Sequence, residues 1–307
     1  MNSDSPGNFD LDDYLQRQSG IIDRGLDRHF SQYPAASQTI FRAMHYGVFS
    51  GGKRIRPILT LAAGELFGAP QDRLMPFACA IELIHAYSLI HDDLPALDDD
   101  DLRRGGPAAH KVFGEGMALL AGDGLLTEAF HLISDGERTR GVKPELVLEL
   151  IHELAHAAGV TGLVGGQALD LEAEGKEADL ATVEVIHVRK TGALILAAIR
   201  IGARLGDAGA AELVRMTRYG EYLGLAFQIA DDILDARGEP VGPVAETGHK
   251  ERKKATYPQV VGIVQARERL GELLRLSLRE LDPFGARAAP LAAIARHVGS
   301  RALGTKI

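Results

Sequence analysis

The stretch FACAIELIHAYSLIHDDLPALDDDD, residues 77–101, runs from an apolar helix straight into a cluster of carboxylates. Behind Ile81, residues Ile84, Ser88 and His91 follow at helical spacing on one face. Six aspartates then fall within the ten residues 92–101, and like charges at that density repel unless cations or protons neutralise them. Carboxylate oxygens suit Mg²⁺, which takes one or two of them and completes its octahedron with water and substrate phosphate. A solvated loop is the ordinary reading of a bare acidic run. Here an apolar helix delivers the aspartates. Asp92 and Asp98 do not share a face of a straight helix, so Pro95 must break it between them and let the last aspartates fold back into a cleft.

A second cluster, FQIADDILD, occupies residues 227–235. Asp231 and Asp235 are four apart and so about 40° apart on one helical face, which destabilises the helix unless something binds between them. Two acidic clusters, each preceded by an apolar helix, form a rough internal pseudo-repeat and read as two walls of one pocket that clamps a polyanion through bridging Mg²⁺. Cations stand apart from these walls. In GGKRIRP, residues 51–57, Lys53 and Arg56 share a face if the segment is helical, and Gly51 and Gly52 let backbone amides approach a ligand. A lysine point charge beside a two-pronged guanidinium suits a phosphate. Arg103 and Arg104 follow the acidic run, where surface pairing with Asp98 to Asp101 is an equal alternative.

Lys190-Thr191-Gly192 opens a strongly apolar helix, either capping it or pointing into a cavity. Gln228 lies three residues before Asp231, where its amide oxygen can stabilise positive charge. Gly165-Gly166-Gln167 reads as a tight helix crossing or a polar lining. His85 and His91 lack a third partner for zinc, and a core or phosphate-contacting His85 is the better reading.

The rest of the chain is consistent with a helical protein. Leu146, Leu150, Ile151 and Leu154 recur at three- and four-residue intervals, as do Leu194, Ala197, Ala198 and Ile201, and strand alternation is scarce. Turns are expected at Gly68-Ala69-Pro70, Gly105-Gly106-Pro107, Gly141 to Pro144, Gly175-Lys176 and Gly206-Asp207, with the longest break from Arg237 to Lys254. The expectation is a frayed tail over residues 1–10 and one all-α domain of roughly ten helices over residues 11–307. The C-terminal Gly299 to Ile307 reads as frayed or as closing over a site. The 307 residues carry 34 Lys plus Arg against 42 Asp plus Glu, a net charge of −8, which argues against a nucleic-acid partner. The lone cysteine, Cys79, makes no internal disulfide, and the acidic N-terminus resembles no signal or transit peptide, so a cytoplasmic location is expected. No segment is read as inserting stably in a membrane. The longest apolar candidate, Ala193 to Ala203, is interrupted by Arg200 and falls short of the ~20 residues needed.

Seven collinear motifs cover nearly the whole chain: GGKRIRP at 51–57, HAYSLIHDDLPALDDDDLRRG at 85–105, LAGDGLLTEAF at 120–130, GGQALDL at 165–171, KTGALI at 190–195, GLAFQIADDILD at 224–235 and KATYP at 254–258. Together they resemble the trans-prenyltransferase (polyprenyl diphosphate synthase) family, most closely its bacterial farnesyl diphosphate synthases. The resemblance implies a single-domain helical barrel around a deep central cleft, a homodimer, and head-to-tail condensation of isopentenyl diphosphate with an allylic diphosphate. It implies that Asp92, Asp98 and Asp231 ligate Mg²⁺, three ions with substrate bound, with Asp93, Asp232 and Asp235 bound directly or through water. By the same resemblance Arg103, Lys190 and Lys254 hold the allylic diphosphate, and Thr191, Gln228 and the Lys190 carbonyl face the developing cation. Gly52, Lys53, Arg56, His85 and Arg104 bind isopentenyl diphosphate. Tyr87 and Ser88, about one helical turn before Asp92, set chain length, and an aromatic there together with the Leu-Pro insertion implies a fifteen-carbon product, with geranylgeranyl diphosphate synthase as the alternative.

One departure stands out. The family usually carries Gly-Lys-x-x-Gly-x-Asp after the second cluster, but aligning back from Lys254 places Val244 at the lysine and His249 at the aspartate. Losing one cation–phosphate contact costs about 1.5–3 kcal/mol unless Lys250, Arg252 or Lys253 substitutes. Three competing readings are a terpene cyclase, which needs no second diphosphate site; a metal phosphohydrolase, which leaves GGKRIRP unexplained; and a non-catalytic partner subunit of a heteromeric prenyltransferase, which would be expected to lose an aspartate cluster.

Overall fold

Local signals start and stop the helices. Asp10 caps α1 (Leu11–Phe30), its carboxylate accepting from the Asp13 amide at 3.0 Å. Then come α2 (Gln38–Phe49), α3 (Ile55–Leu66) and α4 (Gln71–Asp92), with the glycine turn at 68 between the last two. A two-residue antiparallel ladder, Leu102–Arg103 against Gly106–Pro107, precedes α5 (Ala109–Phe113) and α6 (Glu115–Ser134). Pro144 opens α7 (Pro144–Ala158), where its missing N–H removes no helical bond. After α8 (Leu163–Ala173), Asp179 caps α9 (Leu180–His187) through the Thr182 amide at 2.8 Å. The π-turn Val188–Gly192 links α9 to α10 (Ala193–Leu205), and α11 (Ala210–Ala236), α12 (Tyr257–Val261), α13 (Ile263–Leu281) and α14 (Ala289–Leu303) follow. The computed structural model describes residues 9–33, 38–237 and 255–304.

The architecture is all-α, as expected, with three differences of detail. Fourteen α-helices occur among the described residues where roughly ten were expected, because five-residue pieces (α5, α12) leave no periodic signal long enough to read. Helix α4 starts at Gln71 rather than Phe77 and carries Pro76 in its second turn, where the missing N–H leaves the Asp72 carbonyl without its helical donor. Lys190-Thr191-Gly192 belongs to a π-turn, not to the start of α10. Residues 1–8 of the expected tail, residues 305–307 and most of the 237–254 break lie outside the described residues.

One hydrophobic core runs through the helices. Helix α4 is its centre, packed on α3 and α6, while α10 joins α3 to α11 and α13 closes over α11. Phe77, Ile81, Leu83 and Ile84 of α4 are essentially inaccessible, each side chain contributing about 1.5–3 kcal/mol on burial. Close approach of α3 and α10 requires Gly202, where a Cβ would sit 2.2 Å from the Thr60 carbonyl oxygen. Two runs exceed the membrane-crossing candidate picked out in the sequence: α4, with mean hydropathy 1.3 and 78% of it buried, and the run Pro144–Ala173. Core burial accounts for the apolarity of α4, and a turn at Gly159 to Gly162 interrupts the second run.

Buried polar groups also tie α1 to α6. Glu128 accepts from His131 at 2.9 Å and from the Tyr33 hydroxyl, and its Oε1 lies 2.9 Å from His29 Nε2. Burial alone would raise this carboxyl, but those hydrogen bonds outweigh it and hold it down at about 2. A folded-state value below the unfolded one gives stability that is complete above about pH 5 and is lost as pH falls toward 2, roughly 2–3 kcal/mol in all. Urea unfolding should therefore show Glu128→Gln less stable than the parent at pH 7, with the gap falling to about half by pH 3. A constant gap across that range would contradict the assignment.

Candidate active site

The GGKRIRP segment is a turn locked by a buried arginine. Gly51 and Gly52 have φ of +101° and +131°, and Arg54 has φ of +51°, a left-handed conformation that non-glycine residues adopt at a cost. Arg54 is held there by Asp23 at 2.9 Å, Glu82 at 2.6 Å and the Val48 carbonyl at 2.7 Å. Lys53 precedes α3 rather than sharing its face with Arg56. The Arg56 guanidinium lies 3.2 Å from His85 Nε2. Burial first, then the charges of Arg56 and Arg104, push His85 well below the usual histidine range, so it is neutral. Arg104 donates to the Gly51 carbonyl, and its guanidinium lies 2.6 Å from where a Gly52 Cβ would be. Gly52, Lys53, Arg56, His85 and Arg104 thus form one cationic corner.

The acidic run folds back as Pro95 requires. The Asp98 amide donates to the Asp92 carbonyl at 2.7 Å, and the amides of Leu97 and Asp99 both donate to the Leu94 carbonyl. Its six carboxylates do not act alike. Asp93 is buried and binds Arg103 at Nε (2.8 Å) and at Nη2, and Asp100 accepts from Arg103 at 3.2 Å. Burial pushes Asp93 up to about 6 while Arg103 opposes that shift. Asp93 and Asp100 therefore anchor the arginine that follows them.

On α11, burial and then the charge of Asp235 push Asp231 up to about 7, with Arg301 and Arg56 opposing. Asp232 does different work. It accepts from Gln228 Nε2 at 3.0 Å and the Tyr257 amide at 2.7 Å, and lies 3.3 Å from His187 Nε2. That bond orients the Gln228 amide, whose oxygen accepts from the Thr191 hydroxyl at 2.8 Å. The π-turn presents Thr191 beside Lys190, whose ammonium binds Asp170 at 2.6 Å. Burial opposes the Lys190 charge, but Asp170 and then Asp92 and Asp98 outweigh it and raise its proton affinity. Lys190 thus answers to the first aspartate cluster, while Arg56 and Lys53 lie within electrostatic reach of Asp231 in the second. Arg301 of α14 also reaches Asp231 and Lys53, so the C-terminal helix extends to the site.

Below the first cluster Tyr87 is buried, edge-on to His91 with ring centroids 5.7 Å apart, and the Ser88 hydroxyl donates to the His85 carbonyl. Lys254 and the atypical 241–253 loop lie outside the described residues. Asp170, His187 and His110 have no role legible in the sequence alone. Asp170 and His187 stand at sequence distances from their partners that no periodicity reveals. His110 is the third member of the one preformed metal-ligating group among the described residues, with Asp99 and Asp101. Asp92, Asp98 and Asp231 form no such compact group. Two cavities lie away from the aspartates: about 560 Å³ between α1, α2 and α5, and about 980 Å³ between α7, the outer side of the π-turn, α10, α11 and α13. Neither is lined by Asp92, Asp98 or Asp231.

Comparison with known proteins follows the same outline. The polyprenyl synthetase family model matches residues 37–280. The chain is similar to a farnesyl diphosphate synthase of Geobacillus stearothermophilus, 43% identical over 95% of this chain and 98% of that one. It is also similar to a geranylgeranyl diphosphate synthase of Cyanophora paradoxa, 41% identical over 96% and 97%. Among solved structures, an FPP/GFPP synthase of Zymomonas mobilis superposes with a TM-score of 0.83 at 38% identity, covering 92% of this chain and 98% of that one.

The π-turn rests on Gly166, where a Cβ would lie 2.2 Å from the Lys190 backbone nitrogen. Gly166→Ala must push that turn aside and displace Lys190 and Thr191 together. Turnover should fall by about a hundredfold while circular dichroism shows the helical content retained. Near-normal turnover would show that the turn does not need this seat.

Proposed function

Since the chain belongs to the polyprenyl synthetase family and is a short-chain trans-prenyltransferase, we propose that it condenses isopentenyl diphosphate with dimethylallyl or geranyl diphosphate, giving farnesyl diphosphate and pyrophosphate. The observation that carries this reading is the π-turn, which ties Lys190 to the first aspartate cluster and Thr191, through Gln228, to the helix bearing the second. Such a frame brackets a diphosphate at one end and a developing cation at the other.

The oxygen donors of Asp92, Asp98 and Asp231 fit Mg²⁺, and a half-buried Asp231 that holds its proton to about 7 is a carboxylate short of positive charge. Three Mg²⁺ ions bound there with substrate would supply Lewis-acid neutralisation of the departing diphosphate. Lys190 and Arg103 grip the allylic diphosphate, as does Lys254 by resemblance, and Arg103 is pre-aimed by Asp93 and Asp100. Lys53, Arg56 and Arg104, with neutral His85 as hydrogen-bond donor and Gly52 leaving room for the guanidinium, hold the diphosphate of isopentenyl diphosphate.

As the allylic C–O bond breaks, the oxygens of Gln228 and Thr191 and the Lys190 carbonyl face the cation. Gln228 is suited to this because Asp232 fixes its NH₂ end away from the cation. The homoallylic double bond of isopentenyl diphosphate attacks the allylic C1, one C–C bond forms, and the proton lost from the adduct passes to the released pyrophosphate. No side-chain nucleophile takes part.

Burial of Tyr87 beneath Asp92 supports a floor that stops chain growth at fifteen carbons. A homodimer is part of this reading, and Leu119, Leu120 and Leu148 of α6 and α7 are exposed. The single, buried Cys79 fits a cytoplasmic enzyme.

Incubation with Mg²⁺, labelled isopentenyl diphosphate and five- or ten-carbon allylic partners, followed by sizing of the products, tests the reading. The parent should yield a fifteen-carbon diphosphate and Tyr87→Ala longer chains, while Asp92→Ala should lose at least about a hundredfold in turnover. A twenty-carbon parent product would favour the geranylgeranyl alternative. An unchanged fifteen-carbon product from Tyr87→Ala would remove Tyr87 as the floor.

A further inference from the structure

The acidic run presents its carboxylates to two sides. Asp93 and Asp100 bind Arg103, and the Asp98 backbone is drawn to Asp92. Asp99 and Asp101 instead approach His110, in the first turn of α5, and one ligand atom from each of the three lies within 4.8 Å of the others. His110 is only 6% exposed, and neither ring nitrogen has a hydrogen-bond partner. Buried polar groups are almost always satisfied, so an imidazole walled off from water beside two carboxylates calls for something between them.

We propose that Asp99, Asp101 and His110 form a second divalent-cation site, separate from the catalytic aspartates and selective for an ion that accepts imidazole beside carboxylates, such as Zn²⁺ or, more weakly, Mn²⁺, over Mg²⁺. One imidazole nitrogen with two carboxylate oxygens is a donor set for those ions, whereas Mg²⁺ strongly prefers oxygen alone. Ligands about 2.1 Å from a common ion lie at most about 4.2 Å apart, so the observed spacing closes with small side-chain rotations. The corner already attracts positive charge: the Lys111 ammonium lies 2.7 Å from Asp101 Oδ1. Lys111 and Asp101 are both exposed on the surface, so that ammonium swings out to solvent when an ion enters. An ion here ties α5 to the segment that carries Asp98 and stiffens the first catalytic wall from behind.

The test uses full-length protein stripped with chelator and loaded with Mn²⁺ in the absence of any diphosphate. Pulsed electron paramagnetic resonance of the bound Mn²⁺ should show ¹⁴N coupling from a directly bound imidazole. That coupling should persist in Asp92→Asn and Asp231→Asn, disappear in His110→Gln, and be displaced by Zn²⁺ but not by excess Mg²⁺. Asp101→Asn, at an exposed position that folding tolerates, should weaken Mn²⁺ at this site by about tenfold or more. Absence of ¹⁴N coupling in the parent, its survival in His110→Gln, or undiminished affinity in Asp101→Asn would overturn the site.

Discussion

Mutual repulsion of carboxylates is the constraint around which the molecule is organised. Six aspartates in ten residues at the end of α4, and a second group on α11, cannot be gathered without positive charge between them. The chain supplies part of that charge itself: Arg103 for Asp93 and Asp100, Lys190 for Asp170, Asp92 and Asp98, and Arg56 and Arg301 for Asp231. Burial keeps Asp93 and Asp231 well above the ordinary carboxylate range even so. The remainder is the affinity that the proposed function draws on, because a site short of positive charge binds cations and whatever polyanion they carry.

Holding these groups in place takes strain and close contact elsewhere. Arg54 keeps a left-handed backbone conformation only because three partners fix its guanidinium. Gly166 lets α8 touch the backbone of the π-turn, and Gly202 lets α10 touch α3. The first of these glycines seats the backbone of Lys190, and the second seats α10 on α3, the helix that carries Arg56. The π-turn presents Lys190 to Asp170 and its neighbour Thr191 to Gln228 of α11.

Much of this was legible in the chain. Period-3.6 spacing marked α7 and α10, and Pro95 between Asp92 and Asp98 foretold the fold-back now seen in the Asp98–Asp92 backbone bond. Glycine and proline punctuation placed five turns between elements. What stayed hidden depends on contacts between residues far apart in sequence. No pattern in the chain says that Asp93 and Asp232, although members of the aspartate motifs, spend their carboxylates on Arg103 and on Gln228, Tyr257 and His187. Nothing in the residues of the π-turn sets it apart from an ordinary helix start, because they carry the same propensities. His110 stays hidden because a histidine beside small residues carries no signal until the hairpin at 102–107 brings it back to Asp99 and Asp101.

A crystal structure with Mg²⁺ and a non-hydrolysable allylic thiodiphosphate tests the central claim most directly. The expected result is one diphosphate bridged by Mg²⁺ to Asp92 and Asp98 on one side and to Asp231 on the other, with Lys190 on its oxygens and Gln228 and Thr191 beside the allylic carbon. A diphosphate bound to one acidic cluster alone, with the other facing a separate region of solvent, would contradict it.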